Sequence, residues 1–232
     1  MKINISGLMN IIAEEERKFT ILTEEDLGLE KPQRLYKVYD KDNELKYLGR
    51  IHDFTQAKNN IDNLLHMIDR FGYVLNGSNT YFLYNSQCPV LALMVREFYD
   101  AMPDKKWLAG AYEGLKKENA FWMTRRKNES GLNRYDSEPL PEAWVKRSGK
   151  SAVGRLGLRP EGIDECAMAR ATHAAGESGW DFTPRMGWEV YNYAALDLNS
   201  WLYAQEDQLS FFAGELGLTE EQKHWQDARD RR

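Results

Sequence analysis

The stretch that decides the fold is Asn60–Gly72, which reads NIDNLLHMIDRFG. Four apolar residues in it recur at i, i+3, i+4 and i+7, the spacing that puts side chains on one face of an α-helix. They are Ile61, Leu64, Leu65 and Ile68. Gly72 comes directly after this run and predicts the end of the helix. The stretch therefore predicts an amphipathic helix that buries one face.

The same period continues towards the C-terminus and predicts an all-α body. Further helices are predicted at Pro89–Tyr99, Lys105–Arg125, 164–176, Ala195–Leu216 and Glu220–Arg229. Pro89 suits a first helical turn, because its fixed φ matches the helix and its missing N–H has no partner there. Thr219 is predicted to cap the last helix.

The segments between the helices are polar and rich in turn-forming residues. Residues 127–162 hold many Gly, Pro, Ser and Asn residues and predict a long irregular loop, a kind of segment that often carries function. Nearer the N-terminus, Tyr36–Tyr39 and Lys46–Gly49 alternate in polarity and predict a β-hairpin. We expect an irregular segment over 1–55 and an all-α portion over 56–232.

The composition is that of an ordinary globular protein and narrows the classes of function. The 232 residues are 42% hydrophobic and 29% charged, with a net charge of −5. A nucleic-acid-binding face would need clustered basic residues, and the short run Arg125–Lys127 is interpreted as a solvated helix end. No run approaches the roughly 18 apolar residues that a membrane span needs. Neither nucleic acid nor a membrane is expected as a partner.

Residues suited to metal or redox chemistry are few and scattered. Cys88 and Cys166 are far apart, and the four histidines form no His-x-x-x-His pair. Neither a zinc site nor a redox motif is predicted, and no cofactor is expected. Cysteines without a disulfide framework are typical of a reducing compartment, so a cytoplasmic localisation is expected.

Asp181 is the candidate for acid chemistry. It lies between Trp180 and Phe182, directly after Gly179-Trp180. A carboxyl group that is partly buried beside apolar groups keeps its proton nearer to neutral pH, as a general acid must. The alternative is that Ser178 or Asp181 only caps the next turn, and from the residues alone this is the simpler interpretation.

A second polar stretch, Asn76–Gln87, carries several amide and hydroxyl side chains. Amides donate and accept hydrogen bonds at once, which suits the hydroxyl groups of a sugar. The alternative is an Asn-Gly turn that leads into a helix cap. Aromatic residues make up 12% of the chain, which fits either core packing or stacking on sugar rings.

Four stretches resemble glycoside hydrolase family 37, the trehalases, and occur in that family's order. They include the family's Asn-Gly and Ser-Gln pairs, its Glu-Ser-Gly-Trp-Asp-Phe run and its Asp-Leu-Asn run. The stretches are Asn60–Val95, Leu132–Tyr135, Glu177–Arg185 and Leu196–Tyr203. Together they cover about residues 57–217.

The resemblance implies part of an (α/α)6 toroid of helical hairpins and an inverting hydrolysis of α,α-trehalose to glucose. It implies that Asp181 is the general acid. It also implies a set of side chains and backbone groups that contact a small sugar. These are Asn76, Asn85, Ser86, Gln87, Glu142, Gly179 and Trp180.

The departures from the family pattern leave other functions open. Asn85 and Leu140 stand where the family has arginine, and each replacement removes a charged fork that could hold sugar hydroxyls. The family's first signature and its C-terminal catalytic-base region have no counterpart. The alternatives are a substrate that is another small α-glucoside, and a truncated, non-catalytic relative that binds sugar or needs a partner chain. An incomplete toroid would expose apolar helix faces, which predicts self-association.

Overall fold

The computed structural model describes residues 37–39, 45–48, 54–148, 162–181 and 187–232. The chain divides into two units, Met1–Ala57 and Lys58–Arg232. In the first unit, strands β1 (Lys37–Tyr39) and β2 (Leu45–Leu48) pair antiparallel, with Lys37 opposite Leu48 and Val38 opposite Tyr47. These strands overlap the two stretches whose alternation predicts a hairpin; the residues between them lie outside the described part of the chain.

The other main elements of the described chain are helices, as the apolar period predicts. Its helices are α1 (Phe54–Phe71), α2 (Leu91–Ala101), α3 (Lys105–Arg125), α4 (142–148), α5 (Glu165–Ser178), α6 (Leu196–Glu215) and α7 (Thr219–Arg231). Two 3-10 turns, Thr80–Phe82 and Gly187–Asn192, lie in the connections.

The helix ends follow from local chemistry. Helix α1 buries Ile61 and Ile68 and stops at Gly72, which adopts a φ of 87° and donates its N–H to the Ile68 carbonyl. A positive φ costs glycine no steric strain, so it ends the helix cleanly. Asp104 caps α3 by accepting hydrogen bonds from two backbone N–H groups of the first turn, and Asp164 caps α5.

Helix α6 is the centre of the helical unit and packs against α2, α3 and α7. The apolar side chains that fix it there are buried, among them Leu198, Leu202, Leu209 and Phe212. Each fully buried side chain of this size stabilises the fold by about 1.5–3 kcal/mol relative to an exposed one. The packing of α6 therefore joins three other helices, including α3, whose C-terminal end reaches the site described below.

Three local predictions are wrong. Helix α2 begins at Leu91, after Val90, so Pro89 precedes the helix rather than occupying its first turn. Thr219 is the first residue of α7, and Leu218 precedes it without a side-chain cap. The segment 127–162 is not irregular throughout, because it contains α4; residues 149–161 lie outside the described part of the chain.

Candidate active site

The polar stretch Asn76–Gln87 is closed at its base by a backbone bridge between Leu75 and Ser86. The Asn76 N–H donates to the Asn85 carbonyl (2.9 Å), and the Gln87 N–H donates to the Val74 carbonyl (3.0 Å). The Asn76 side chain then donates to the Gly176 carbonyl at 3.0 Å and to Gln87 Oε1 at 3.2 Å. The loop is therefore fastened to the last turn of α5.

Glu177, at the end of α5, is the centre of a polar cluster that also contains Ser86, Arg126 and Asp136. Its side chain is 0% exposed and accepts hydrogen bonds from three separate segments. Arg126 donates through Nε and Nη2 at 2.9–3.1 Å, Ser86 donates through Oγ at 2.5 Å, and the Asp136 N–H donates at 2.8 Å. Both carboxylate oxygens are thus occupied within the protein.

The charge of Glu177 is matched by a buried arginine rather than by solvent. Arg126 is 1% exposed and also pairs with Glu138 at 2.8 Å. Burial alone would lower the pKa of Arg126, but the carboxylates of Glu177 and Glu138 raise it above its usual value. The interpretation of Arg125–Lys127 as a solvated helix end is therefore wrong for Arg126, because a buried carboxylate requires a partner of opposite charge.

A second ion pair, between Arg170 and Asp136, lies next to the Arg126–Glu177 pair. Asp136 is buried and accepts a two-pronged contact from Arg170, at 2.6 Å from Nε and 2.5 Å from Nη2. Arg134 contacts the same carboxylate at 3.0 Å. Burial would raise the pKa of Asp136, yet Arg170, the Ser137 N–H and Arg134 hold it below its usual value. Asp136 is therefore an anion that binds arginine, not a proton donor.

His173, one turn before Glu177, is buried between two neutral partners. Its Nδ1 contacts Asn85 Oδ1, and its Nε2 lies 2.9 Å from Ser148 Oγ. Asn85 also donates to the His173 carbonyl at 3.1 Å. Burial lowers the pKa of His173 to about 4, so the imidazole is neutral near pH 7.

The remaining two family-like stretches are joined by reciprocal hydrogen bonds between two buried amides. The Asn133 N–H donates to Asn199 Oδ1 at 3.0 Å, and Asn199 Nδ2 donates to the Asn133 carbonyl at 2.8 Å. In addition, Trp180 Nε1 donates to Asp197 at 2.6 Å. The four stretches that carry the family resemblance therefore form one hydrogen-bonded cluster.

The cluster ends at the surface in the segment Gly179–Asp181. Gly179 adopts a φ of 71°, and Asp181, which is not a glycine, adopts a φ of 47°. The side chains of Trp180 and Asp181 are both exposed, with Trp180 at 51%. The partial burial expected for Asp181 is therefore not provided by the residues that the structure describes; Phe182 and Arg185 lie outside them.

The structure brings most of the predicted site residues together, but they differ in whether their side chains are buried or exposed. Asn85 and Ser86 are buried and bonded inside the protein, whereas Asn76 and Gln87 are partly exposed. Glu142 is not in a loop: it begins α4, is exposed, and accepts a hydrogen bond from Lys146 at 2.5 Å. Within the described residues, no recorded contact joins Glu142 to the cluster.

Sequence reasoning missed Arg126, His173 and Asp136 as members of the site. One signal was available: Ala169, His173 and Glu177 recur at i, i+4 and i+8 and share one face of α5, and all are buried. A carboxylate on a face of small apolar residues requires a cation. The periodicity could have predicted that need, although it could not have selected Arg126.

Among the described residues, no group of three or more His, Cys, Asp or Glu side chains could hold a metal ion. None of the described helices is both long enough and apolar enough to cross a membrane.

Comparison with known proteins identifies the family. A family profile described as Trehalase matches residues 38–232, more than half of the chain. The chain belongs to the trehalase family. The periplasmic trehalase of Xanthomonas axonopodis pv. citri is 30% identical over 212 residues, which cover 79% of this chain and 36% of that relative. A probable trehalase of Oryza sativa subsp. japonica is 28% identical over 192 residues, which cover 71% and 32%.

The fold is also that of the family. The neutral trehalase Nth1 from Saccharomyces cerevisiae superimposes with a TM-score of 0.61 at 20% identity, over 75% of this chain and 38% of that chain. The prediction of an all-α chain that forms part of an (α/α)6 toroid is confirmed. The chain spans about a third of the length of the curated relatives that it matches.

Proposed function

We propose that this chain contributes to a trehalase-type glycoside hydrolase that cleaves α,α-trehalose, or a related small α-glucoside, to glucose. The observation that carries the proposal is that all four family-like stretches are hydrogen-bonded into one cluster, which ends at Asp181. Asp181 is the proposed general acid. It protonates the glycosidic oxygen while a second carboxylate activates water on the opposite face of the sugar, with inversion at the anomeric carbon.

Glu177 is excluded as that second carboxylate. Its two oxygens are occupied by Arg126, Ser86 and the Asp136 N–H, and its side chain is 0% exposed. A catalytic base must reach a water molecule beside the substrate. The pair of carboxyl groups in an inverting enzyme is separated by roughly 6.5–9.5 Å, so the base must come from a different segment.

The exposure of Asp181 favours a second candidate function. A general acid keeps its proton when neighbouring apolar groups desolvate it, and the described residues leave Asp181 exposed. A chain that binds sugar without hydrolysing it, or that needs a partner chain to cover Asp181, has the same cluster and the same open carboxyl group. The two candidates differ in turnover, not in sugar binding.

The proposed sugar contacts come from the exposed edge of the cluster. Trp180 offers an aromatic face whose indole N–H is already held by Asp197, and rings of this kind stack on apolar faces of sugars. Gln87 and Asn76 offer amides, and Gly179 offers backbone. The proposed roles of Asn85, Ser86 and Glu142 are weaker, because the first two are bonded internally and Glu142 pairs with Lys146.

The test is glucose release from trehalose by the wild type, Asp181→Asn and Asp227→Asn. Asp227 is an exposed carboxylate on α7 and serves as the matched control. Turnover that is lost in Asp181→Asn and retained in Asp227→Asn supports the hydrolase. Absence of turnover in the wild type, with trehalose at 100 times its Kd raising the free energy of unfolding by about 2.7 kcal/mol, supports the sugar-binding alternative. If the wild type shows no turnover and no change in melting temperature with either trehalose or maltose, both candidate functions are contradicted.

The cellular setting is also a proposal. Cys88 and Cys166 are free thiols, which supports a reducing, cytoplasmic location, although several relatives are named as periplasmic. Several large apolar side chains are exposed, including Leu196 at 81%, which supports self-association through apolar helix faces. Fractionation of cells and light scattering at high protein concentration test the two statements separately.

A further inference from the structure

The carboxylate of Glu177 joins three segments that are distant in sequence. Ser86 belongs to the polar loop, Arg126 follows the last residue of α3, and Asp136 lies in the connection after it. The Cys88 thiol adds contacts to the carbonyls of Glu177 at 3.6 Å and Ser178 at 3.4 Å. The end of α5 is therefore held from several sides at once.

A buried ion pair of this kind contributes little net stability compared with well-packed apolar residues, because both charges lose their hydration. The ion pair orients Glu177. Arg126 contacts the carboxylate through both Nε and Nη2, so the pair restricts both rotation and translation of the Glu177 side chain. The pair thus fixes where α5 ends rather than how strongly the protein folds.

The segment after Glu177 is short and its direction is determined. Ser178 Oγ accepts the Trp180 N–H at 3.1 Å, and the Gly179 N–H donates to the Gly176 carbonyl at 3.2 Å. Gly179 and Asp181 both have positive φ, a conformation that a non-glycine residue adopts only when its surroundings hold it. Asp181 therefore stands at a defined place relative to Glu177.

We propose that Glu177 and Arg126 are positioning residues that set the backbone of Gly179–Asp181, and through it the carboxyl group of Asp181. This inference rests on the proposed role of Asp181 as the general acid. Neither Glu177 nor Arg126 touches the substrate. They act by fixing the helix end from which the acid projects.

The test is hydrogen exchange of the Gly179 and Trp180 amides in Glu177→Gln, Arg229→Gln and the wild type. Glu177→Gln keeps the shape of the side chain but removes its charge. Arg229→Gln breaks an ion pair with Asp207 on α6 and α7 and is the control for a general loss of stability. Loss of the Glu177 charge also lowers the global stability, so the readout is the exchange rate relative to that of α6. We expect the acceleration of the two amides in Glu177→Gln to be about tenfold larger than that of the amides of α6.

The outcomes separate positioning from stability. Equal acceleration in the loop and in α6, or acceleration in the control to the same degree, contradicts the proposal. If Glu177→Gln does not fold, Ser86→Ala removes only one donor, and we expect about threefold faster exchange confined to the same two amides. Unchanged exchange in a folded Ser86→Ala then overturns the proposal.

A kinetic measurement gives the second readout. Where the wild type hydrolyses trehalose, Glu177→Gln is expected to lower kcat while KM for trehalose stays within about twofold, because the acid is displaced and the sugar contacts are not. A rise in KM alone, with kcat unchanged, contradicts positioning. If the wild type neither binds nor hydrolyses trehalose, the proposed function fails, and hydrogen exchange still decides whether Glu177 orders the segment.

Discussion

Replacing Glu118 by glutamine should remove a large part of the pH dependence of stability. Glu118 lies on α3, is 1% exposed, and accepts one hydrogen bond from Gln205 Nε2 at 2.9 Å. Gln205 is oriented by Asn119, which donates to its Oε1 at 3.0 Å. Glu118 Oε1 has no hydrogen-bond partner among the described residues, so the folded protein favours a proton on that oxygen.

The magnitude follows from the shift in pKa. Burial raises the pKa of Glu118 from 4.5 to about 8, and the hydrogen bond from Gln205 opposes this only in part. The folded state therefore binds the proton more tightly than the unfolded state. The stabilisation is complete below pH 4.5, falls as the pH rises, and is lost above the folded pKa. At about 1.4 kcal/mol per pKa unit, the loss between pH 5 and pH 8 is about 3–4 kcal/mol.

The assay is urea unfolding followed by tryptophan fluorescence from pH 5 to pH 8. With an m-value of about 2 kcal/mol/M, the wild-type midpoint should fall by about 1.5–2 M relative to that of Glu118→Gln over this range. Glu113→Gln, an exposed position on the same helix, should follow the wild type. Titration of His173 affects all three proteins equally and cancels in the comparison. Parallel pH profiles for the wild type and Glu118→Gln would refute the reasoning.

Two further outcomes follow from other buried groups. Arg232 forms a two-pronged ion pair with buried Glu206 at 2.7 and 3.0 Å. Arg232→Ala should lower the free energy of unfolding by about 3–5 kcal/mol, because it leaves that carboxylate unpaired. Arg231→Ala, at an exposed site, should change the urea midpoint little. Burial lowers the pKa of His173 to about 4, so the folded protein favours the neutral imidazole. The resulting stabilisation is complete above pH 6.5 and is lost as the pH falls towards 4, because the unfolded chain is protonated first. In urea titrations between pH 6.5 and pH 4, His173→Gln should therefore show a smaller decline in stability than the wild type.

The helices were predictable from sequence because apolar period and end signals act locally. The interval Lys105–Arg125 is identical in prediction and structure, and Gly72 ends α1 as expected. The errors arise at termini, where tertiary contacts decide. Pro89 precedes α2 instead of starting it, and α4 forms within a segment whose composition favours a loop. A helix of two turns is selected by the side chains that it buries, such as Val145, rather than by its composition.

The polar site was less predictable, because its hydrogen bonds join residues far apart in sequence. The resemblance selected stretches that the structure joins by hydrogen bonds, but it could not state which side chains face the interior. The short basic run Arg125–Lys127 predicts a solvated helix end; Arg125 and Lys127 are indeed exposed, whereas Arg126 is buried. Successive side chains of a helix point in directions about 100° apart, because the helix has 3.6 residues per turn. The choice of Arg126 as the partner of Glu177 is therefore a property of the folded chain.

One departure from the family pattern, Asn85, has a structural role that bears on the proposed substrate. Asn85 directs its amide inward, to the carbonyl of His173 and to its ring. An arginine there would bring a charge next to a histidine that burial keeps neutral, unless its longer side chain turned towards the sugar. The Asn85 amide thus pairs with buried polar groups of His173. It cannot supply the charged, two-pronged donor that an arginine at this position would offer to a sugar. In the proposed sugar site, recognition would then depend on neutral donors such as Asn76 and Gln87 and on the ring of Trp180. Neutral contacts discriminate less sharply among sugar hydroxyls than a charged fork does, so maltose and trehalose should differ less in affinity here than in a trehalase that retains the arginine.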